Sequence, residues 1–261
     1  MLIIDDLTRR FGPEAAVDRV SLAVPAGQVV GVIGPTGAGK STLLRLINRL
    51  IDPSAGRILC DEVDVAKLNG RALRAWRSEC AMIAAQFTLV GQLSATTNVL
   101  AGLLAVMPQW RSKAQIFTPR ERGLALQALA RVGMDHAARQ PVAVLSQAGQ
   151  RRVAIARALA QRPKLLLADD PLVGLDRPQA TGVMAALRGI NRQDGMTVIC
   201  ALSDPDVAMA ACDRIIGMRD GRIVFDGAAA TLGRKQLCNI YGGVAVDSLH
   251  LSEKLDLVSA A

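Results

Sequence analysis

The stretch QVVGVIGPTGAGKSTLLRLINRL, residues 28–50, decides the fold of this chain. It begins with a continuous apolar run, QVVGVIG (28–34), which predicts a buried strand. It ends with KSTLLRLINRL (40–50), whose apolar residues recur at helical spacing. Between the two, GPTGAGKST (34–42) matches the pattern G-x-x-x-x-G-K-[ST]. The pattern therefore stands between a strand and a helix, which is the context that a phosphate-binding loop requires.

The residue types in this loop suit the phosphates of a nucleotide such as ATP. Glycines lack a Cβ, so the backbone N–H groups can turn inward toward a phosphate, and the following helix adds its positive N-terminal end. Lys40 can reach the β- and γ-phosphates as a point charge, and the Ser41 hydroxyl can coordinate Mg²⁺. A glycine-rich turn that binds nothing is the alternative, and the complete pattern in its context disfavours it. The predicted nucleotide-binding residues of the loop are Gly34, Pro35, Thr36, Gly37, Ala38, Gly39, Lys40, Ser41 and Thr42.

The overall composition is typical of a compact globular protein. The chain has 261 residues, of which 51% are hydrophobic and 21% charged, which suits one large α/β domain or a core with a smaller lobe. The longest apolar stretches, such as ATTNVLAGLLAVMP (95–108), are interrupted by polar side chains, so none is predicted to span a membrane. The start, MLIIDDLTRR, lacks the basic residues and long apolar core of a secretory signal, which predicts a cytoplasmic protein.

The cysteine and charge content indicates which metals and binding partners the protein can have. Five scattered cysteines, none in a CxxC pair, and two histidines indicate neither a disulfide framework nor a zinc site. A formal net charge of +8 favours anionic partners such as a nucleotide, a nucleic acid or an acidic lipid surface. Aromatic residues make up only 3% of the chain, and no basic segment interleaves with them, so no nucleic-acid partner is expected.

Strand and helix patterns alternate along the chain, and this predicts a parallel sheet with crossover helices. Residues from about 87 to 160 contain no convincing strand, so we expect them to form an inserted helical lobe. The tail from residue 244 to residue 261 has no assigned chemistry. Strands are predicted at 20–24, 28–34, 56–60, 80–84, 164–168, 196–202, 214–218 and 221–225, and helices at 40–50, 119–133, 150–161 and 178–192.

Two adjacent carboxylates end the apolar run in KLLLADDP (164–171). Acidic residues often end a strand because the chain turns out into water, and this is the simpler interpretation. A nucleotide-binding loop, however, needs a metal partner from a second strand. Asp169 is therefore predicted to hold the Mg²⁺ water shell, and Asp170 to polarise the attacking water.

With these motifs in hand, the chain resembles the ATP-binding subunits of ABC transporters. LSQAGQRRVAIARALAQRPKLLLADDPLVGLD (145–176) follows that family's order of signature, helix, strand and aspartate, and the likeness covers nearly the whole chain. Within the family, the chain is most similar to the phosphonate-import ATPase subunits. The stretches that carry this likeness are RALRAWRSECAMIAAQFTLVGQLSATTNVLAG (71–102), GINRQDGMTVICAL (189–202), CDRIIGMRDGRIVFDG (212–227) and NIYGG (239–243).

The resemblance implies an α/β fold: a P-loop NTPase core with a RecA-like parallel sheet, an N-terminal antiparallel β subdomain and an inserted helical subdomain. It places the ATP-binding domain at residues 1–243. It also implies a peripheral ATPase on the cytoplasmic face of the inner membrane. Such a subunit works as a dimer with a second ATP-binding subunit, drives integral membrane permease subunits and is served indirectly by a periplasmic binding protein. By the same resemblance, Phe11 stacks on adenine, Ser146 touches the γ-phosphate across the dimer, and Asp176 belongs to the loop that links the two sites.

The signature motif departs from the family pattern. The family has LSGGQ where this chain reads LSQAG, so Gln147 and Ala148 replace two glycines, while Gly149 and Gln150 stand one place late. If the backbone there needs positive φ, each added side chain costs on the order of 1–3 kcal/mol. If φ is negative, the cost is small.

Three further departures lie at residues that the family places near the γ-phosphate. The glutamine that leads the coupling loop aligns with Ala85, which leaves Gln86 as the nearby substitute. Ser203 replaces a histidine, and it can donate a hydrogen bond but cannot be cationic. Asp170 replaces the catalytic glutamate and is shorter by about 1.5 Å, a displacement that can slow hydrolysis roughly a hundredfold.

These observations favour an ATP hydrolase that powers the uptake of phosphonate or a related oxyanion, with reduced activity. The alternative is a divergent subunit that closes around ATP but hydrolyses little of it, as a regulator or as the passive half of a hetero-pair. A third class, the ABC ATPases that act on DNA or ribosomes, usually carries a long coiled-coil insertion or two fused cassettes. This chain has one cassette and no such insertion.

Overall fold

The computed structural model describes residues 1–84 and 89–242, which form ten strands and nine α-helices. The strands are β1 (Leu2–Phe11), β2 (Glu14–Val24), β3 (Val29–Ile33), β4 (Ala55–Cys60), β5 (Val63–Asp64), β6 (Cys80–Ile83), β7 (Leu165–Asp169), β8 (Thr197–Ala201), β9 (Arg214–Arg219) and β10 (Arg222–Ala228). The helices are α1 (Lys40–Ile47), α2 (Gly70–Glu79), α3 (Ala95–Ala101), α4 (Gln109–Ala114), α5 (Pro119–Arg131), α6 (Gln147–Leu159), α7 (Arg177–Asp194), α8 (Pro205–Ala211) and α9 (Arg234–Tyr241).

The chain divides into two compact units. The first unit comprises residues 1–68 together with the chain from residue 197 onward, and the second comprises residues 69–196. Strands of both units carry apolar side chains that are fully buried.

The first unit begins with an antiparallel sheet in the order β2-β1-β4-β5. Strand β1 pairs with β2 from Leu2 opposite Val24 to Phe11 opposite Glu14, so the two strands form a long hairpin. Buried and exposed residues alternate through parts of β1 and β2, as expected of a sheet with one face on the core. The register of β1 shifts near Asp6, where φ is +46°.

The other paired strands of the first unit, β3, β8, β9 and β10, position the phosphate loop. Strand β3 lies between β8 and β9 and is parallel to both, while β10 runs antiparallel to β9. All five residues of β3 are buried, and so are all five of β8, which explains why both read as continuous apolar runs. The carboxyl end of β3 leads directly into the phosphate loop and α1.

The second unit combines a parallel strand pair with most of the helices. Strands β6 and β7 pair in parallel from Cys80 opposite Leu165 to Ile83 opposite Ala168. Helices α3, α5 and α6 pack against one another. Four of the helices begin at a side chain that accepts a backbone N–H: Ser94 before α3, Thr118 before α5, Ser146 before α6 and Asp176 before α7.

Most elements predicted from the sequence are confirmed. Each of the eight predicted strands overlaps an observed strand, and each of the four predicted helices overlaps an observed helix. Strand β1 was not predicted, because charged residues interrupt its apolar pattern. No bounds were predicted for β5, α2, α3, α4, α8 or α9. The proposed helical lobe at residues 87–160 and the domain boundary at residue 243 stay predictions, and the tail from 244 to 261 lies outside the described residues.

Within the described ranges, no helix combines the length and the apolar character needed to cross a bilayer.

Candidate functional site

The phosphate loop connects the buried end of β3 to the first turn of α1. Gly34, Gly37 and Gly39 all have positive φ, at +149°, +84° and +100°. A Cβ on Gly34 would lie 2.1 Å from the Met218 carbonyl oxygen, and one on Gly39 would lie 2.2 Å from the Ala16 carbonyl oxygen. Two separate constraints therefore require glycine at both positions: the positive φ angle and the close approach of a backbone oxygen.

Gly37 differs from the other two glycines because it faces open space. A Cβ built there would meet no heavy atom within 4 Å, and both Thr36 and Gly37 are exposed. The tip of the loop thus leaves its backbone accessible, whereas its two ends are packed against the unit. This is the form of a cradle whose open side can admit a phosphate group.

Lys40 lies at the inner side of the loop. Its side chain is largely buried, with 8% of the residue exposed, and its Nζ donates hydrogen bonds to the carbonyl oxygens of Gly34 at 2.6 Å and Pro35 at 3.0 Å. The Pro35 oxygen also accepts the Ala38 N–H at 3.1 Å, which closes the loop. The ammonium charge is therefore held inside the curve of the loop, within reach of any phosphate that the loop binds.

The remaining predicted residues of the first unit lie close to this loop. Ser41 and Thr42 are half-buried in the first turn of α1. Leu202 donates its backbone N–H to Val32 at 2.9 Å, so Ser203 follows at the same carboxyl edge of the sheet that carries the loop. Ser203 is exposed there.

Phe11 ends β1 and presents an open aromatic ring. It is 51% exposed, and the Arg9 guanidinium lies 4.7 Å from the ring centroid. Its partner in the hairpin, Glu14, is two residues from Ala16, whose carbonyl contacts Gly39. The aromatic ring is thus carried on the same hairpin that packs against the phosphate loop.

In the second unit, the two adjacent carboxylates occupy different environments. Asp169 is the last residue of β7 and is only 1% exposed, whereas Asp170 is half-buried and has φ of +45°. Among residues other than glycine, aspartate is one of the few that adopts this left-handed region readily. The strand end therefore points one carboxylate into the protein and turns the backbone sharply at the next.

The signature motif forms the N-terminal end of α6. The Ser146 hydroxyl accepts the Gly149 N–H at 3.1 Å and thereby caps the helix, while Gln147 and Ala148 form its first turn. Neither residue has positive φ. Replacing the two glycines by Gln147 and Ala148 therefore introduces no backbone strain. Of the two cases considered from the sequence, the one with a small energetic cost applies. Ala148 lines a cavity of about 290 Å³.

Asp176 and Gln86 complete the predicted set. Asp176 is exposed and caps α7, with its carboxylate accepting the Gln179 N–H at 2.8 Å. This structural role is compatible with a place in a loop at the subunit interface, but it does not require one. Ala85 and Gln86 lie outside the described residues.

Arg151 is a residue of this region that sequence reasoning missed. It lies on α6, is 8% exposed, and its guanidinium donates to the Val173 carbonyl in the loop after β7. Burial lowers the pKa of Arg151, while the nearby Asp170 carboxylate raises it. The only signal in the sequence is its spacing of four residues from Gln147, which places both on one helix face.

Family and structural comparisons agree with this geometry. Residues 17–173 match the family described as ABC transporter. The phosphonates import ATP-binding protein PhnC 2 of Rhodopseudomonas palustris (strain BisB18) is 55% identical over 232 residues, covering 89% of this chain and 86% of that protein. The phosphonates import ATP-binding protein PhnC of Agrobacterium fabrum is 48% identical over 261 residues, covering 98% and 91%.

Solved structures of ATP-binding cassettes have the same fold. The dimeric cassette MJ0796, in a post-hydrolysis state bound to ADP and Pi, aligns with a TM-score of 0.74 at 30% identity and covers 88% of this chain and 99% of that one. The cbiO1 subunit from Clostridium perfringens aligns with a TM-score of 0.79 at 25% identity and covers 99% and 98%. The chain belongs to the ABC transporter family, and the predicted fold class is confirmed.

Proposed function

We propose that this chain is the ATP-binding subunit of an ABC importer, and that it couples the binding and hydrolysis of Mg-ATP to the uptake of phosphonate or a related oxyanion. The observation that carries the proposal is the phosphate loop, whose glycines and lysine form a complete cradle. The relatives at 55% and 48% identity are both named phosphonates import ATP-binding protein, the alignments cover 86% and 91% of their lengths, and they support the substrate class.

Nucleotide binding is assigned to the phosphate loop and the hairpin beside it. The backbone N–H groups at the loop tip surround the phosphates, and Lys40 exchanges its bonds to the Gly34 and Pro35 carbonyls for phosphate oxygens. Phe11 stacks on the adenine with the ring face that Arg9 leaves open.

The metal-binding role is assigned to Ser41 and Asp169. A hydroxyl and a carboxylate are the hard oxygen donors that Mg²⁺ prefers, and Asp169 is held rigidly at the end of a buried strand. When bound with ATP, Mg²⁺ neutralises charge on the phosphate oxygens.

Hydrolysis is assigned to Asp170, with help from Ser203 and Gln86. Asp170 accepts a proton from the attacking water, and Ser203 donates a hydrogen bond to the γ-phosphate. Ser146 touches the γ-phosphate of the nucleotide bound to a second subunit, and Asp176 lies in the loop between the two sites. The dimer acts on membrane permease subunits from the cytoplasmic face of the inner membrane, with a periplasmic binding protein delivering the oxyanion.

A working hydrolase is favoured over a passive subunit. The signature change at Gln147 and Ala148 is one of the four departures that supported a passive role, and both residues lie in an unstrained helical turn. The positive φ angles that glycine would allow at positions 147 and 148 are therefore not needed. What remains are the departures at Gln86, Ser203 and Asp170, and the shorter reach of Asp170 affects rate more than binding.

The test compares binding and turnover of Mg-ATP for the native chain, Lys40→Ala and Asp170→Asn, with the membrane subunits present. We expect the native chain to bind and hydrolyse ATP, Lys40→Ala to lose binding, and Asp170→Asn to retain binding with only a slow residual turnover. Tight native binding with negligible native turnover would favour the passive subunit instead. Uptake of a labelled phosphonate into vesicles containing the complete transporter tests the substrate class separately.

A further inference from the structure

The first two turns of α6 contact the loop that follows β7. Gln147 and Arg151 are four residues apart and so lie on the same face of the helix. Both side chains reach the segment from Asp170 to Asp176, which separates β7 from α7. The contacts lie entirely within the second unit.

Gln147 packs against the loop at Gly174. Its Oε1 atom lies 2.9 Å from the point that a Cβ on Gly174 would occupy, and Gly174 has φ of +78°. A side chain at residue 174 would therefore be strained by its backbone angle, and the Gln147 amide would have to shift to admit its Cβ. The side chain at position 147 thus occupies space directly beside the loop backbone.

Arg151 holds the same loop one residue earlier. Its guanidinium donates to the Val173 carbonyl oxygen and lies within electrostatic range of the Asp170 carboxylate. A guanidinium that is nearly buried loses hydration, and this cost must be offset by hydrogen bonds and by opposite charge. Both the loop carbonyl and Asp170 contribute to that compensation.

The backbone at Asp170 itself needs support from its surroundings. Its φ of +45° is a conformation that residues other than glycine adopt at a cost, and it persists where neighbouring contacts hold it. The bond from Arg151 to Val173 and the packing of Gln147 beside Gly174 hold these two loop residues, which lie three and four positions after Asp170. They therefore restrict the turn from which the Asp170 side chain projects.

We propose that Gln147 and Arg151 form a clamp on the loop Asp170–Asp176, and that this clamp holds the Asp170 carboxylate in position for ATP hydrolysis. Both are positioning residues, because they act through Asp170 and the loop. The inference rests on the role of Asp170 under the proposed function. It also gives Gln147 a specific task in place of the glycine that the family pattern has at this position.

The experiment is a double-mutant cycle between Arg151→Met and Asp170→Asn in the complete transporter. We expect R151M to lower kcat on the order of tenfold and to leave the KM for ATP unchanged, because the clamp affects hydrolysis and not the phosphate loop. In the Asp170→Asn background, where single-turnover hydrolysis of labelled ATP follows the slow residual rate, R151M should have no further effect.

Arg152→Met is the matched control, because it removes a guanidinium of the same helix that donates to the Val132 carbonyl at 3.3 Å, away from the loop. We expect R152M to lower thermal stability as R151M does but to leave kcat unchanged. Arg151→Lys keeps the charge and should recover part of the activity. Gln147→Gly removes the second contact without loss of charge, and it should lower kcat by a smaller factor.

Several results would overturn the clamp. They are an equal loss of kcat from R151M in both backgrounds, equal losses from R151M and R152M, or a change confined to KM. If R151M does not fold, unchanged kcat in both Gln147→Gly and Arg151→Lys would reject it. The proposed function fails in a different way: native turnover by Asp170→Asn would show that Asp170 is not the base, and the clamp would fall with it.

Discussion

The phosphate loop of the first unit and the loop after β7 in the second unit are built on opposite principles. The phosphate loop relies on backbone geometry, with three glycines at positive φ and a lysine bonded to the loop's own carbonyls. The loop after β7 relies on side chains, because Arg151 donates to its Val173 carbonyl and Gln147 lies beside its Gly174.

This difference explains where the chain departs from the family pattern. In the phosphate loop, a Cβ at Gly34 or Gly39 would collide with a backbone oxygen, so the pattern leaves no room for replacement. At the signature, the first turn of α6 has ordinary helical angles and accommodates Gln147 and Ala148. Under the proposed function, nucleotide binding is assigned to a loop that tolerates little change, and hydrolysis to a region whose signature accommodates replacement.

The largest effect is expected from a side chain at Gly39. Gly39→Ala should lower the free energy of unfolding by about 3 kcal/mol or more, because the new Cβ meets the Ala16 carbonyl oxygen and φ is +100°. Gly37→Ala is the matched control, since it has positive φ but open space, and it should cost about 1 kcal/mol. Denaturant titration measures both. Equal losses would mean that packing around the loop is not what requires glycine.

The second effect is the loss of the phosphate-binding charge. Lys40→Ala should weaken Mg-ATP binding on the order of 100-fold, because a charge-assisted bond to phosphate is removed. Isothermal titration calorimetry measures the affinity. Lys67→Ala, which removes an exposed lysine paired with Asp64 in the same unit, should leave the affinity unchanged. Native-like binding by Lys40→Ala would contradict the assigned role of the loop.

The third effect concerns the reach of the carboxylate after β7. Asp170→Glu should raise kcat about tenfold, because one added methylene moves the carboxylate toward the attacking water. It should also lower the free energy of unfolding by less than about 1 kcal/mol, because glutamate adopts the left-handed region less readily than aspartate. Phosphate release with the membrane subunits present measures the rate. A fall in kcat would show that the loop is built for the shorter side chain.

The smallest effect is expected at the helix cap of the signature. Ser146→Ala should cost about 1 kcal/mol of stability, because the Gly149 N–H loses its acceptor. Thr118→Ala removes the cap of α5 in the same unit and should cost a similar amount. Only Ser146→Ala should also slow hydrolysis by the dimer. Equal hydrolysis by the two variants would leave Ser146 with a structural role alone.

Much of the fold follows from local patterns in the sequence. The buried strands β3, β7 and β8 read as continuous apolar runs, and α5 and α7 read from helical spacing and capping residues. Strand β1 was not predicted, because its pairing partners β2 and β4 supply stability that its own charged sequence does not indicate. Long-range pairing of this kind leaves little trace in a short window of sequence.

The residues of the candidate site also divide into those that local sequence patterns indicate and those that depend on long-range contacts. A motif and its order along the chain single out Lys40, Asp169 and Asp170, whose roles stay predictions. Arg151 could not, because its role depends on a contact across 22 residues to the Val173 carbonyl. The sequence also left open whether Gln147 and Ala148 strain the signature. That question depends on their φ angles, which the residue types alone do not provide.

The sequence by itself determined the phosphate loop, the α/β class, the likeness to ABC transporter subunits and the pair of carboxylates after β7. It could do so because each depends on residue types at fixed spacing. Only the tertiary structure decided that the altered signature is unstrained, that Gly34 and Gly39 are locked by the backbone oxygens of Met218 and Ala16, and that α6 holds the loop carrying Asp170. These properties arise where distant segments meet, and the physical reason is that packing and backbone angle are set by the neighbours that the fold supplies.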